Sequence, residues 1–286
     1  MQENYFDLVE CPRDAMQGWH QFISTENKIR YINSLLQVGF HTIDFGSFVS
    51  PKAIPQMADT KKVIKGLQLH SNSSKLLAIT ANTRGAEDAV VYDEISYLGF
   101  PFSISPTFQQ RNTNSTIEES ILRVETIQEL CIKNKKDLVV YLSMGFGNPY
   151  GDDYNEEILL YWANEMVKRD IKIISLADTV GIATPEQISF ALKTLIPQYP
   201  ETLIGVHLHS SPANFKQKLE AAVNAGCKRF DGALKGIGGC PMAQDDLVGN
   251  MNTELMIDFF EEKKLIKGIH KNALQESLKI AQEIFQ

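Results

Sequence analysis

The chain has 286 residues, 43% hydrophobic and 22% charged, with a formal net charge of −7. That size suits one large α/β barrel of about 250 residues with an ample core. The acidic balance excludes a general binder of nucleic acid, which needs clustered Lys and Arg, and no apolar run approaches the ~20 residues of a membrane span.

The first residues, Met1-Gln2-Glu3-Asn4-Tyr5, carry neither a signal-peptide nor a transit-peptide pattern. Cys11, Cys131, Cys227 and Cys240 are scattered, with no metal-knuckle spacing and no disulfide framework, so a cytoplasmic setting is expected. In chain order, residues 5–10 predict a strand that runs into the polar turn Cys11-Pro12-Arg13-Asp14. Residues 25–38 have helical periodicity and Gly39 stops them. A strand over 42–46 delivers Asp44 near its end, a third spans 76–80, and a helix is predicted over 87–98. Residues 100–104 form the next strand, followed by a polar loop and a helix opened by Ser115 and Glu118 as a capping box. Strands over 138–142, 171–176, 203–207 and 229–231 complete the series, and an apolar stripe over 273–285 predicts an additional C-terminal helix.

Eight strand-then-helix units predict parallel strands closed into a (β/α)8 TIM barrel, a single domain over 1–286. An open doubly wound sheet is the alternative, weakened because no Gly-rich fingerprint follows the first strand. In a barrel, chemistry collects at the C-terminal strand ends. Arg13 and Asp14, Asp44, Asp178 and Thr179, and His207 and His209 all fall there, followed by the Gly-rich loop and Asn250. His207 and His209 share one strand face about 7 Å apart, close enough to converge on one ion. Two imidazoles, a carboxylate and an amide oxygen make a mixed N/O set for a divalent cation with open positions, acting as a Lewis acid.

Several motifs in order carry a resemblance. Pro12-Arg13-Asp14-Ala15-Met16-Gln17, Ser47-Phe48-Val49-Ser50-Pro51-Lys52, Pro55-Gln56-Met57, residues 115–120, Val206-His207-Leu208-His209, Gly236 to Pro241 and Asn250 together resemble hydroxymethylglutaryl-CoA lyase of the DRE-TIM metallolyase superfamily. The resemblance covers about residues 5–260, with site elements at 11–17, 44–52, 178–179, 207–209 and 236–250. It implies retro-Claisen cleavage of 3-hydroxy-3-methylglutaryl-CoA to acetoacetate and acetyl-CoA, as in leucine degradation and ketone-body metabolism. It also implies an acyl-CoA substrate, a homodimer, and Mg²⁺ or Mn²⁺ on Asp14, His207, His209 and Asn250. By the same resemblance Asp14 or His207 is the base, Arg13 stabilises the departing enolate, and Cys240 helps to deliver the final proton. Gln17, Asp44, Asp178 and Thr179 are expected near substrate. Asp44 could equally hold Arg13 in place, and Asp178 could be a turn or capping residue.

Departures from the family pattern stand at residues 210–213, at Asn148-Pro149, at His20, at 244–249, and at Asp44, where Glu is frequent. A changed acyl-CoA preference is one reading of them. Two other functions remain open: a Claisen-type condensing enzyme on the same barrel, and a catalytically silent barrel that binds acyl-CoA or metal.

Overall fold

The computed structural model describes residues 5–70, 74–239 and 248–286. Eight parallel strands pair in sequence order and close on themselves: β1 (Asp7–Glu10), β2 (Thr42–Ser47), β3 (Lys75–Ile79), β4 (Ile95–Ser103), β5 (Asp137–Ser143), β6 (Ile173–Ala177), β7 (Leu203–His207) and β8 (Arg229–Gly232). Closure is the pairing of β1 with β8, where Asp7 lies opposite Arg229 and Glu10 opposite Gly232. The expected (β/α)8 barrel is therefore present, and the open sheet is excluded.

Strand alternation sorts the side chains into two layers. Leu76 and Ala78 of β3 and Leu138, Val140 and Leu142 of β5 pack outward against the helices, within the main core. Leu77, Ile79, Val139, Tyr141 and Ile173 form a second cluster inside the barrel. The same alternation points His207 of β7 and Asp231 of β8 inward, and these two residues are in register.

Three local expectations change. The helix predicted to reach residue 98 runs instead from Thr83 to Val90, started by the Asn82 side chain, which accepts from the Gly85 amide. Residues 95–98 belong to β4, because Leu76, Leu77 and Ala78 of β3 take them into the sheet, and that pairing overrides the local helical period. The loop after β4 contains a helix, Pro106–Thr113, with Ser105 as cap and Pro106 in its first turn. The capping box of the following helix, Ile117–Lys133, is built by Thr116 and Glu119. Ser115 is buried instead, bonded to Ser120 at 2.8 Å.

The additional C-terminal helix is Lys271–Ile284, and it packs on the helix Thr25–Leu35, with Ser277 Oγ 2.9 Å from Ser34 Oγ. Gly39 is needed beside it: its φ is +95°, and a Cβ there would lie 2.3 Å from the Gly268 carbonyl oxygen.

Candidate active site

Pro12 opens a short helix, Pro12–Gln17, directly after β1. Its fixed φ suits the first helical position, and the turn it makes places Arg13, Asp14 and Gln17 at the C-terminal mouth of the barrel. There they border a cavity of about 520 Å³ together with Thr179, His207 and His209.

Arg13 donates from Nε to Asp44 Oδ2 at 3.0 Å, from Nη2 to the same oxygen at 2.5 Å, and from Nη1 to Asp14 Oδ1 at 3.0 Å. Asp44 lies beneath Arg13 and does not border the cavity. Three of the five guanidinium N–H groups are engaged, leaving two for a ligand. Asp14 Oδ1 also accepts from Gln17 Nε2 at 2.8 Å, and Oδ2 accepts from Asn250 Nδ2 at 2.7 Å and from the Gly239 amide at 3.3 Å. Burial works against its charge, but Arg13, the two histidines and the Asn250 bond outweigh it, and its pKa falls to about 2. It is a carboxylate at any working pH.

His207, His209 and Asp14 bring one ligand atom each within 4.8 Å of one another. His209 is only 3% exposed, and neither ring nitrogen has a hydrogen-bond partner. Burial first, then the neighbouring His207, pull its pKa down to about 4, so it is a neutral base with a bare lone pair. Asn250 is paired to His209 through a backbone bridge, and its Oδ1 is buried without a partner. Leaving buried polar atoms unpaired costs about 1–3 kcal/mol each, which a divalent cation among them would offset. Asp14, His207, His209 and Asn250 therefore fit such an ion.

Gly238 makes the arrangement sterically possible. It has φ +113°, and a Cβ there would stand 2.5 Å from Asn250 Nδ2 and 3.0 Å from the Asp14 carbonyl oxygen. Cys240 lies outside the described residues.

The chain matches the HMGL-like family over residues 8–283. It belongs to that family. A hydroxymethylglutaryl-CoA lyase of Bacillus subtilis is 30% identical over 272 residues, spanning 95% of this chain and 90% of the relative. The mitochondrial hydroxymethylglutaryl-CoA lyase of Mus musculus is 30% identical over 273 residues, 94% of this chain and 82% of the relative. The solved HMG-CoA lyase of Acinetobacter baumannii, described in complex with coenzyme A and 3-methylmalate, superposes with a TM-score of 0.91 at 30% identity, covering 100% of this chain and 92% of that one.

Within this HMGL-like barrel, Asp178 does not border the cavity. Its Oδ2 accepts from Lys218 Nζ at 2.6 Å and its Oδ1 from the Ala183 amide at 3.0 Å. Thr179 does border the cavity, while its hydroxyl accepts from the Met144 amide at 2.8 Å. Two departures from the family pattern have local structural work. Asn148 Oδ1 accepts from the amides of Tyr150 and Asp152, folding its own loop. The Ser211 amide donates to Asn214 Oδ1 at 2.8 Å, shaping the turn after β7. His20 and Lys52 are exposed, and residues 244–247 lie outside the described chain.

Sequence motifs missed three groups. Arg111 and Arg123 border the cavity and supply positive charge at its rim; the polar run Arg111-Asn112-Thr113-Asn114 was the available signal. Tyr141, also on the cavity wall, sets its ring edge-on to His207 with centroids 5.7 Å apart. Asp231 stands behind His207, signalled only by the polar-apolar-polar order Arg229-Phe230-Asp231.

Proposed function

We propose that this protein is a carbon–carbon lyase that cleaves 3-hydroxy-3-methylglutaryl-CoA to acetoacetate and acetyl-CoA. The observation that carries the reading is the convergence of Asp14, His207 and His209 beside Arg13 at one cavity, with Asn250 bonded to Asp14, in a chain of the HMGL-like family. Mg²⁺ or Mn²⁺ suits this oxygen-containing donor set and, when bound, would acidify the substrate's C3 hydroxyl.

The proton on that hydroxyl leaves to a base. The family resemblance gives that role to Asp14 or His207. As the C3 oxygen becomes a carbonyl, the C2–C3 bond breaks and its electron pair passes to the acetyl-CoA enolate. Arg13 supplies a permanent charge and two spare N–H donors to the enolate oxygen, a term typically worth 10²–10³ in rate. The enolate carbon then takes a proton, a step the family resemblance gives to Cys240. Gln17 braces Asp14, and Thr179 borders the space the substrate would fill. The basic rim at Arg111 and Arg123 suits the phosphates of an acyl-CoA.

One domain over 1–286 is part of this reading. A cytoplasmic setting is supported by the buried free thiols of Cys11, Cys131 and Cys227. A homodimer rests on the family resemblance alone. Among the described residues, no helix is long and apolar enough to cross a membrane.

The test is acetoacetate release from HMG-CoA by chelator-treated protein, with and without Mg²⁺ or Mn²⁺. Metal-dependent release that disappears in a folded Arg13→Gln protein is expected. No release with either ion, from protein that still binds the thioester, would overturn the assignment.

A further inference from the structure

Asp231 belongs to none of the sequence motifs above, yet its side chain is fully buried against the site. It lies on β8 in register with His207 of β7, and its Oδ2 is 3.3 Å from His207 Nδ1. Below it in the barrel stands Arg229, 1% exposed, with Nη2 3.8 Å from Asp231 Oδ1. Arg229 has room because its neighbour on β7 is Gly205: a Cβ there would sit 2.9 Å from Arg229 Cβ and 3.0 Å from its Cγ. Arg229, Asp231 and His207 therefore form a column of polar groups rising through the apolar barrel to the mouth.

We propose that Asp231 is the positioning residue for His207: it accepts the Nδ1 proton and thereby fixes the ring with a bare Nε2 on the side of Asp14 and His209. The proposal rests on the metal-site reading above and names the group that prepares one of its ligands. An imidazole presents one nitrogen reliably only when the other is held as a donor, and a carboxylate holds it best while raising the basicity of the free nitrogen. As ion ligand or as acceptor of the hydroxyl proton, His207 needs the same bare Nε2. His209 lacks such a partner, so the two histidines of one His-X-His motif are prepared differently.

Cys11, His207 and Asp231 also bring ligand atoms within 4.8 Å of one another. Arg229 beside Asp231 argues against a second ion there, because the carboxylate already faces a buried cation. The column is better matched to orienting a ring than to holding another metal.

The decisive measurement is the tautomer of His207 in ion-free protein labelled with nitrogen-15 histidine. It is read at a pH where the ring is neutral, with its signals assigned by their loss in His207→Gln. The wild-type ring is expected to carry its proton on Nδ1. In Asp231→Asn, whose amide can donate to Nδ1, the share protonated on Nε2 should rise. Mn²⁺ affinity, measured by titration calorimetry, should weaken by about 10–100-fold, the usual effect of losing a partner behind a ligating histidine. A tautomer shift without loss of affinity would still support the hold of Asp231 on the ring. A wild-type ring protonated on Nε2, or an Asp231→Asn protein matching wild type in both tautomer and Mn²⁺ affinity, would overturn the proposal. Should Asp231→Asn fail to fold, the wild-type tautomer decides alone. Wild-type protein that binds no divalent ion would instead overturn the metal reading, and the tautomer would still judge Asp231.

Discussion

Arg13 meets Asp44 side-on, through Nε at 3.0 Å and Nη2 at 2.5 Å to the same carboxylate oxygen. The carboxylate comes from inside β2 and is only 1% exposed, so the guanidinium is clamped along one edge with its remaining donors at the cavity. Asp44 is an anchor for the arginine.

Arg13→Gln is expected to lower kcat by at least 10²–10³, as for other lost donors to a developing oxyanion. Arg13→Lys should rescue little, because a point ammonium cannot reproduce the edge-on pairing. Asp44→Ala should cost a smaller factor, and adding Arg13→Gln to it should cost less than Arg13→Gln alone costs wild type. Steady-state kinetics on the four proteins of the cycle would measure that coupling; full additivity would show that Asp44 does not position Arg13.

His209 is maintained at the expense of apo stability, since a buried imidazole with two unpaired nitrogens is a liability without an ion. His209→Leu should leave the ion-free protein as stable as wild type or about 1 kcal/mol more stable. Saturating Mn²⁺ at 100 times its Kd should stabilise wild type by about 2.7 kcal/mol, and this gain should vanish in the variant. Thermal unfolding with and without the ion checks both halves.

Lys218 is 1% exposed, and all three of its protons find acceptors: Asp178 Oδ2 at 2.6 Å, the Gly181 carbonyl at 2.9 Å and the His209 carbonyl at 2.8 Å. It ties the loops after β6 and β7 together beneath the site. Lys218→Met should destabilise the fold by about 3–5 kcal/mol, because Asp178 is left buried and unpaired. The double variant Lys218→Met with Asp178→Leu should recover part of that loss in urea unfolding. No recovery would mean that the two carbonyl contacts dominate.

Glu10 is fully buried, and burial pushes its pKa up to about 8 despite hydrogen bonds from Thr253 Oγ1 at 2.6 Å and the Leu234 amide at 2.8 Å. The folded protein thus retains a proton that the unfolded chain releases near pH 4.5. The stability this contributes is full below that value and is lost as pH rises through about 8. Between those limits the slope approaches about 1.4 kcal/mol per pH unit for this one group. Glu10→Gln should remove that component, so the difference in urea midpoint between variant and wild type should grow in the variant's favour from pH 5 to pH 9. A constant difference would show that Glu10 does not change its charge on unfolding.

What the sequence by itself determined follows from order and period. Eight apolar strand segments alternating with helical stretches call for a parallel sheet covered by helices, with the barrel favoured over the open sheet, and the pairing of β1 with β8 decided closure. Arg13, Asp14, Asp44, Asp178, His207 and His209 were legible as strand-end residues because the barrel places the end of each strand at one mouth. The tertiary structure alone decided what each does with its neighbours. Asp44 and Asp178 look alike as acids in sequence, yet one clamps Arg13 and the other pairs with Lys218, which lies 40 residues further along. Residues 95–98 joined β4 because β3 stood ready to pair with them. Asp231 and Arg229 carried no motif, and their importance arises from standing in the barrel interior beneath His207, with Gly205 alongside. Periodicity reports which face of an element a residue occupies. Pairing across the barrel depends on register and on the space a neighbour leaves, and both exist only once the sheet has closed.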